Sequence, residues 1–265
     1  SEDAQAVYDS GIAQFPGSHL LYYNRAVMHI NKERIKEGVA DLKKAIELNP
    51  YHASSHLQLA DLCIRSGHYT QALMAAGYFF IIEPASGRSN SVLSFLNSAV
   101  SEKNDYDAVD YNFDPNKTYS RSDRLIASYA ALGDNYEIDS DVGYPLAKQM
   151  HLAFSQAAKV KSEKGFFELY YLPYFKELMA DEERFEMFSY LMSASIEAEY
   201  FQSVIGKNID DIKELMAWNS EFLTTHHERH ILGYEPGAPE VYYIFHEGTS
   251  GLSGRQLLDE QGKPT

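Results

Sequence analysis

The sequence predicts an all-α chain built from consecutive helical hairpins, and three observations carry that expectation. Pro16, Pro50 and Pro84 stand at equal intervals of 34 residues. Aligned on those prolines, Ala26 falls over Ala60, Gly38 over Ala72, Ala45 over Phe79, and Leu48-Asn49-Pro50 over Ile82-Glu83-Pro84, so small residues recur where the helices of a pair would cross. Between the prolines the apolar residues keep helical spacing: Leu20, Tyr23, Val27 and Ile30; Val39, Leu42 and Ile46; Leu57, Ala60 and Ile64; Leu73, Ala76 and Phe80.

Residues 3–15, with Ala4, Tyr8 and Gly11 in register before Pro16, have the pattern of a second helix whose first helix would precede residue 1. Residues 17–50 and 51–84 each give a helix, a polar turn (32–34 or 65–68), a second helix and a proline that cannot continue it. Residues 88–103 place Val92, Leu93, Leu96 and Val100 on one face, as the first helix of a degenerate third unit over 85–103 would. A polar stretch, 104–117, stands in place of its partner. Further helices are expected at about 118–133, 144–163, 166–180, 182–206 and 209–226. The organisation read from this is an array over 1–103, a helical region over 104–232, and an extended arm with a loose tail over 233–265. In the arm, Pro236, Gly237 and Pro239 break any helix, and Val241 to Phe245 form a β-prone run with no evident partner strand. The aromatic stretch 165–175 reads as a buried hinge in which Pro173 permits a helix to restart, in preference to a cage for a cation.

The 34-residue unit resembles the tetratricopeptide repeat. The family's small crossing residues match Ala26 and Ala60 in the first helix and Gly38 and Ala72 in the second, and its closing proline matches Pro50 and Pro84. Departures are Tyr22 and His56 at the early tryptophan, alanine in both units where the family has the glycine that follows the first helix's leucine, and Phe79 at the late alanine. The C-terminal region is similar to the helical part of some bacterial tetratricopeptide proteins of undefined activity, often exported ones. The resemblance implies a right-handed α–α superhelix, the tetratricopeptide solenoid, with a helical C-terminal cap and a short extended arm. It also implies a non-catalytic scaffold whose concave face, lined by the first helix of each repeat, receives a partner helix or peptide. The family's groove positions carry over to Leu20, Tyr23, Asn24, Val27 and Asn31, and to Ser54, Leu57, Gln58, Asp61 and Arg65. Chaperone-binding members clamp a C-terminal carboxylate with cations there, but Tyr23 and Leu57 occupy the positions that need them. An apolar, aromatic surface oriented by Asn24, Asn31, Asp61 and Arg65 suits a partner helix or extended peptide instead. The competing expectation is that helices after residue 85, or the arm, fill this groove. Export rests on the resemblance alone, since a cytoplasmic scaffold would have the same composition.

Composition limits the other possibilities. With 23 Lys and Arg against 38 Asp and Glu the net charge is −15, which repels a phosphate backbone and disfavours a nucleic-acid partner. Residues 1–84 carry −2 (seven basic against nine acidic) and residues 85–265 carry −13 (sixteen against twenty-nine), so the acidity lies after the repeats. No apolar run approaches the roughly 18 residues of a membrane span. Cys63 is the single cysteine and decides neither disulfide nor compartment. Ser1 to Ala4 show no basic or apolar leader pattern.

No cofactor or metal is expected. His226 and His230 are four apart with His227 and Glu228 between, but the metalloprotease motif has two residues between its glutamate and second histidine, and Arg229 alone stands here. These histidines read as a solvated helix C-terminus. The acidic groups Asp105, Asp107, Asp110, Asp114 and Asp134, Glu137, Asp139, Asp141 lack the glycine and glutamate of a calcium loop and read as solvated loops. The glycine-rich stretch 248–255 lacks the Gly-Lys-Ser/Thr ending of a phosphate cradle and reads as flexible tail. Two rival functions are a metal-dependent hydrolase around His226, His227, His230, His246 and the acidic loops, and a small-ligand or glycan receptor using exposed tyrosines of the second half.

Overall fold

In the computed structural model of the chain, the residues described are 2–101, 117–132, 145–161, 164–196, 199–226, 243–248 and 251–257. Among them the structure is helical but for one β-hairpin. The chain groups into two units, residues 1–58 with 227–265, and residues 59–226. The expected boundaries at 103/104 and 232/233, both acidic clusters, and His227, Glu228 and His230 lie outside the described residues.

The 34-residue period is written into the backbone. After α1 (Glu2–Gln14), α2 (His19–Asn31) and α4 (Ala53–Arg65) start and stop one period apart, as do α3 (Ile35–Leu48) and α5 (Tyr69–Ile82). The turn inside the first pair closes with Lys32 N–H and Arg34 N–H donating to His29 O and Glu33 N–H to Ile30 O. One period later Ser66 N–H and His68 N–H donate to Cys63 O and Gly67 N–H to Ile64 O. The pivot is a left-handed residue, Glu33 at φ 59° and Gly67 at φ 72°, the conformation in which helices commonly end. Both second helices close alike, Asn49 N–H on Ala45 O and Glu83 N–H on Phe79 O, before Pro50 and Pro84.

In the first unit α1 packs on α2 and α2 on α3. The α2–α3 crossing needs the small residues found by alignment: a Cβ on Gly38 would lie 2.7 Å from Ile30 Cγ1 and 3.3 Å from Ala26 O. Arg25 of α2 ties all three helices, donating to Asp41 of α3 from Nε (2.8 Å) and Nη2 (2.7 Å) and to Asp9 of α1 from Nη1 (2.7 Å). Asp41 is buried, so this bidentate pair does more than an exposed one.

In the second unit α5 is a central helix, with α7 (Ser120–Leu132), α8 (Pro145–Ala157) and α11 (Glu182–Met192) packed on it. Its start is held from α7, where Asp123 Oδ1 accepts Thr70 N–H (2.8 Å) and Oγ1–H (2.6 Å). A carboxylate at a helix N-terminus meets unpaired amides and the positive end of the dipole. The helix α6 (Ser89–Ser101) packs on α7 and α8 and starts two residues later than the period would place it.

The aromatic stretch forms α9 (Phe166–Tyr170) and α10 (Leu172–Leu178), so the single helix expected over 166–180 is two, with Pro173 in the first turn of the second. Tyr170, Tyr171, Tyr174 and Phe175 are buried around Tyr78 of α5 at ring-centroid distances of 4.8 to 6.1 Å. Phe175 stacks on Phe154 at 4.0 Å, and a Cβ on Gly77 would lie 2.7 Å from Phe175 Cζ. These rings are core. The single helix expected over 182–206 is also broken. The helix α11, capped by Asp181 accepting Arg184 N–H, ends in a 3₁₀ turn Ser193–Ser195, and α12 (Glu199–Lys207) follows. Ser193 turns its hydroxyl back onto Ser189 O and Ile196 is extended, a local competition with the helix that apolar periodicity does not register. The last helix is α13 (Ile209–His226), whose Asn219 Oδ1 accepts the Tyr174 hydroxyl at 2.7 Å.

The arm is corrected as well. Strands β1 (Tyr243–Gly248) and β2 (Gly251–Leu257) pair antiparallel, with Tyr243 opposite Leu257 and Gly248 opposite Gly251. The β-prone run thus finds its partner inside what was expected to be flexible tail. Composition missed β2 because Gly-Leu-Ser-Gly-Arg-Gln-Leu has little strand propensity of its own and is held by the ladder.

Candidate partner-binding face

On a helix packed along one side, residues three and four apart share a face. In α2, Ala26 is buried against α3, while Leu20, Tyr23, Asn24, Val27 and Asn31 remain wholly or partly exposed. In α4, Ser55, His56, Leu59, Ala60, Leu62, Cys63 and Ile64 are buried, while Ser54, Leu57, Gln58, Asp61 and Arg65 are not. Each helix therefore keeps all five of its carried-over groove positions in contact with solvent. On α4 the charges are already paired, Arg65 Nε lying 2.9 Å from Asp61 Oδ2 one turn away. On α2 the Tyr23 ring sits edge-on to His52 at 4.8 Å.

Beneath Tyr23 lies a polar junction that the apolar pattern did not reveal. His19, at the start of α2, faces His52 of the α3–α4 turn at 5.0 Å. Its Nε2 is 3.1 Å from Asn49 Nδ2. Asn49 Oδ1 accepts Tyr51 N–H at 3.0 Å, which leaves its amide nitrogen to donate to His19. His52 Nδ1 shares a hydrogen bond with Ser55 Oγ at 2.8 Å. His56, fully buried at the family's early tryptophan position, donates from Nε2 to Pro50 O at 2.8 Å. Burial first, and the neighbouring His52 imidazole after it, push His19 down to about 4; burial does the same to His56, opposed by the Pro50 carbonyl. The sequence shows only part of this junction, a helix-closing Asn-Pro with histidines two and six residues beyond the proline; His19 lies outside that pattern.

The other candidate chemistry is not assembled. His226, expected at a solvated helix end, is buried; its Nε2 donates to Leu169 O at 3.1 Å and its ring stacks on Phe222. The short α9 supplies that carbonyl, so packing of α13 overrides the local polarity. Among the described residues no group of three or more His, Cys, Asp or Glu is placed to hold a metal ion. None of the described helices is long and apolar enough to cross a membrane. The tyrosines and phenylalanines of α8 to α11 are mostly core, and Arg184 covers the face of Trp218 at 4.3 Å.

Residues 20–52 match the family model described as tetratricopeptide repeat. The chain is 38% identical over 81 residues to the Protein SGT1 homolog of Oryza sativa subsp. japonica, covering 30% of this chain and 22% of that protein. It is 31% identical over 72 residues to the Tetratricopeptide repeat and J domain-containing co-chaperone DNJ1 of Fusarium oxysporum f. sp. lycopersici, covering 27% and 14%. To the Protein STIP1 homolog of Dictyostelium discoideum it is 27% identical over 86 residues, covering 32% and 15%. The chain thus matches only 14 to 22% of the length of these curated relatives. No solved structure matches it. The bacterial resemblance is not borne out, because these relatives are eukaryotic. The pair α2–α3, with its left-handed turn, its Ala26–Gly38 crossing and its closing Pro50, is a tetratricopeptide repeat, carried in a chain whose described residues are helical but for one β-hairpin.

Proposed function

We propose that this protein is a non-catalytic adaptor that captures a helical or extended segment of another protein on the exposed faces of its repeat first helices. The observation that carries this reading is the accessibility of Tyr23, Asn24, Val27 and Asn31 on α2 and of Leu57, Gln58, Asp61 and Arg65 on α4, on helices whose other sides are buried. Side chains that fold no core and mix aromatic, aliphatic and amide groups supply anchors plus orienting hydrogen bonds. The similarity to proteins that include a named co-chaperone supports protein binding in general. The absence of cations at 23 and 57 supports a segment gripped along its length over one gripped by its terminal carboxylate.

The test is photo-crosslinking from position 23, with mass spectrometry of the joined peptide. Tyr23→Asp with Leu57→Asp is expected to reduce capture at least tenfold while circular dichroism stays unchanged, because both side chains are only partly covered and neither belongs to the buried core. Undiminished capture by the double variant would remove the α2 and α4 faces as the binding surface. Amidation of a captured peptide's C-terminus is expected to leave affinity unchanged.

A further inference from the structure

The junction beneath Tyr23 has a hydrogen-bond logic that fixes a protonation state. Asn49 Oδ1 is engaged by Tyr51 N–H, so Asn49 presents its NH2 to His19, and His19 Nε2 must be the unprotonated, accepting nitrogen. A proton there sets N–H against N–H in a nearly dry site. Turning the Asn49 amide over does not relieve the conflict, since its NH2 would then face Tyr51 N–H. Asn49 is the residue that closes α3, so this contact joins the start of α2 to the turn leading into α4. We propose that the His19–Asn49 junction is an acid-sensitive latch of the first repeat, closed while His19 is neutral and opened on mild acidification. The inference goes beyond the peptide-binding reading and does not depend on it.

The groups around the latch agree. His19 feels its burial and the His52 imidazole of the turn; His56 of α4 feels its burial, the Pro50 carbonyl and the same His52. Tyr23 lies against His52. Among the charges of α1 to α3, Arg25 of α2 meets Asp41 of α3 and Asp9 of α1, and Lys44 pairs with Glu47 on α3, while the His29 imidazole of α2 lies 3.8 Å from Asp41. The sign follows from linkage. His19 titrates at about 4 when the latch is closed and near 6.5 once released, so closure is fully stable above the released value and weakens as pH falls toward the closed one. At pH 5 the opening constant is about 20-fold higher than at neutral pH through His19 alone. His56 adds a comparable factor where the same opening releases it.

Hydrogen exchange followed by mass spectrometry on the full chain, at about pH 7.5 and about pH 5 with intrinsic rates corrected, tests the proposal. Amides in 45–56 are expected to lose roughly tenfold or more of their protection at the lower pH, while those in 70–80 of α5 keep theirs. Unchanged exchange in 45–56 overturns the latch, and so does equal loss in α5, which would be general acid unfolding. His19→Gln retains an acceptor and cannot titrate, so its acid response in 45–56 should shrink by most of the His19 factor; a response equal to that of the natural chain overturns the assignment. Should that variant not fold, the imidazole titration of His19 in the unaltered chain decides, with a midpoint below about 5 expected and one near 6.5 fatal.

Discussion

The helix pairs α2–α3 and α4–α5 share a backbone pattern and differ in what surrounds it. In α3 the buried residues are Gly38, Val39, Asp41, Leu42, Ala45 and Ile46, an amphipathic stripe with solvent opposite. In α5, one period on, every residue from Thr70 to Phe80 is buried. Yet both pairs start, turn and stop at matching positions, with the same amide-to-carbonyl bonds across the turn. Local devices therefore set the hairpin: a left-handed pivot, a small residue at the crossing, and a proline at the end. They act identically whether the outer face of the second helix meets water, as in α3, or helices α7, α8 and α11, as in α5. The side chains of α5 suit a core while its backbone keeps the 34-residue period.

The sharpest way to break this comparison is to give the second pair the first pair's residue. Phe79 takes the place of Ala45, and both are fully buried. Phe79 lies 5.3 Å from the Phe80 ring and is capped by the Arg88 guanidinium at 5.3 Å. Phe79→Ala, which moves the sequence toward the family pattern, is expected to cost about 3–5 kcal/mol by denaturant unfolding. A cost under about 1 kcal/mol would show that α5 is not a core helix.

Next in size is the hold on the N-terminus of α5. Removing the Asp123 carboxylate leaves the buried Thr70 N–H without its acceptor. Asp123→Ala is expected to cost about 1–3 kcal/mol and to raise amide exchange in the first turn of α5. The matching position in the first repeat is Lys36, which is exposed, so Lys36→Ala should change stability by less than about 0.5 kcal/mol. Gly77→Ala comes third. Alanine gains about 0.5–1 kcal/mol in a helix, but its Cβ meets Phe175, which is fully buried and stacked on Phe154 and so has nowhere to move. Overpacking costs about 1–3 kcal/mol, so net destabilisation near 1 kcal/mol is expected in thermal melts.

How much of this was legible beforehand follows from the same contrast. The period, the Ala26–Gly38 crossing and the boundaries of α2 to α5 are local and written in the residues. The ten groove positions rest on family register alone; the structure shows only that none of them is buried. Three features depend on distant partners and were not legible. His226 looked solvated because the carbonyl of Leu169 that buries it lies 57 residues away. Strand β2 looked like tail because only pairing with β1 makes it a strand. The His19–Asn49 latch joins residues 30 apart whose polarity carries no helical period. The core helix α5 did announce itself, since Tyr-Thr-Gln-Ala-Leu-Met-Ala-Ala-Gly-Tyr-Phe-Phe-Ile-Ile is apolar on all sides, the mark of a helix buried on all sides.

The last expected effect bears on the device the two helix pairs share most closely. The pivot demands positive φ in both turns; the second pair uses Gly67 and the first uses Glu33. A residue with a Cβ in that conformation carries a steric cost of about 1 kcal/mol, offset in part by the greater backbone freedom that glycine must give up on folding. Glu33 is exposed, so little packing is lost by trimming it. Glu33→Gly is therefore expected to stabilise the protein by about 0.5–1 kcal/mol, and Gly67→Ala to destabilise it by about 1 kcal/mol or more, both read as shifts in denaturation midpoint. Opposite signs from substitutions at equivalent positions would show that the two turns are one structure carrying two side-chain solutions. A loss on Glu33→Gly would mean instead that the glutamate side chain itself holds the first turn in place, and that the two pivots are equivalent in backbone only.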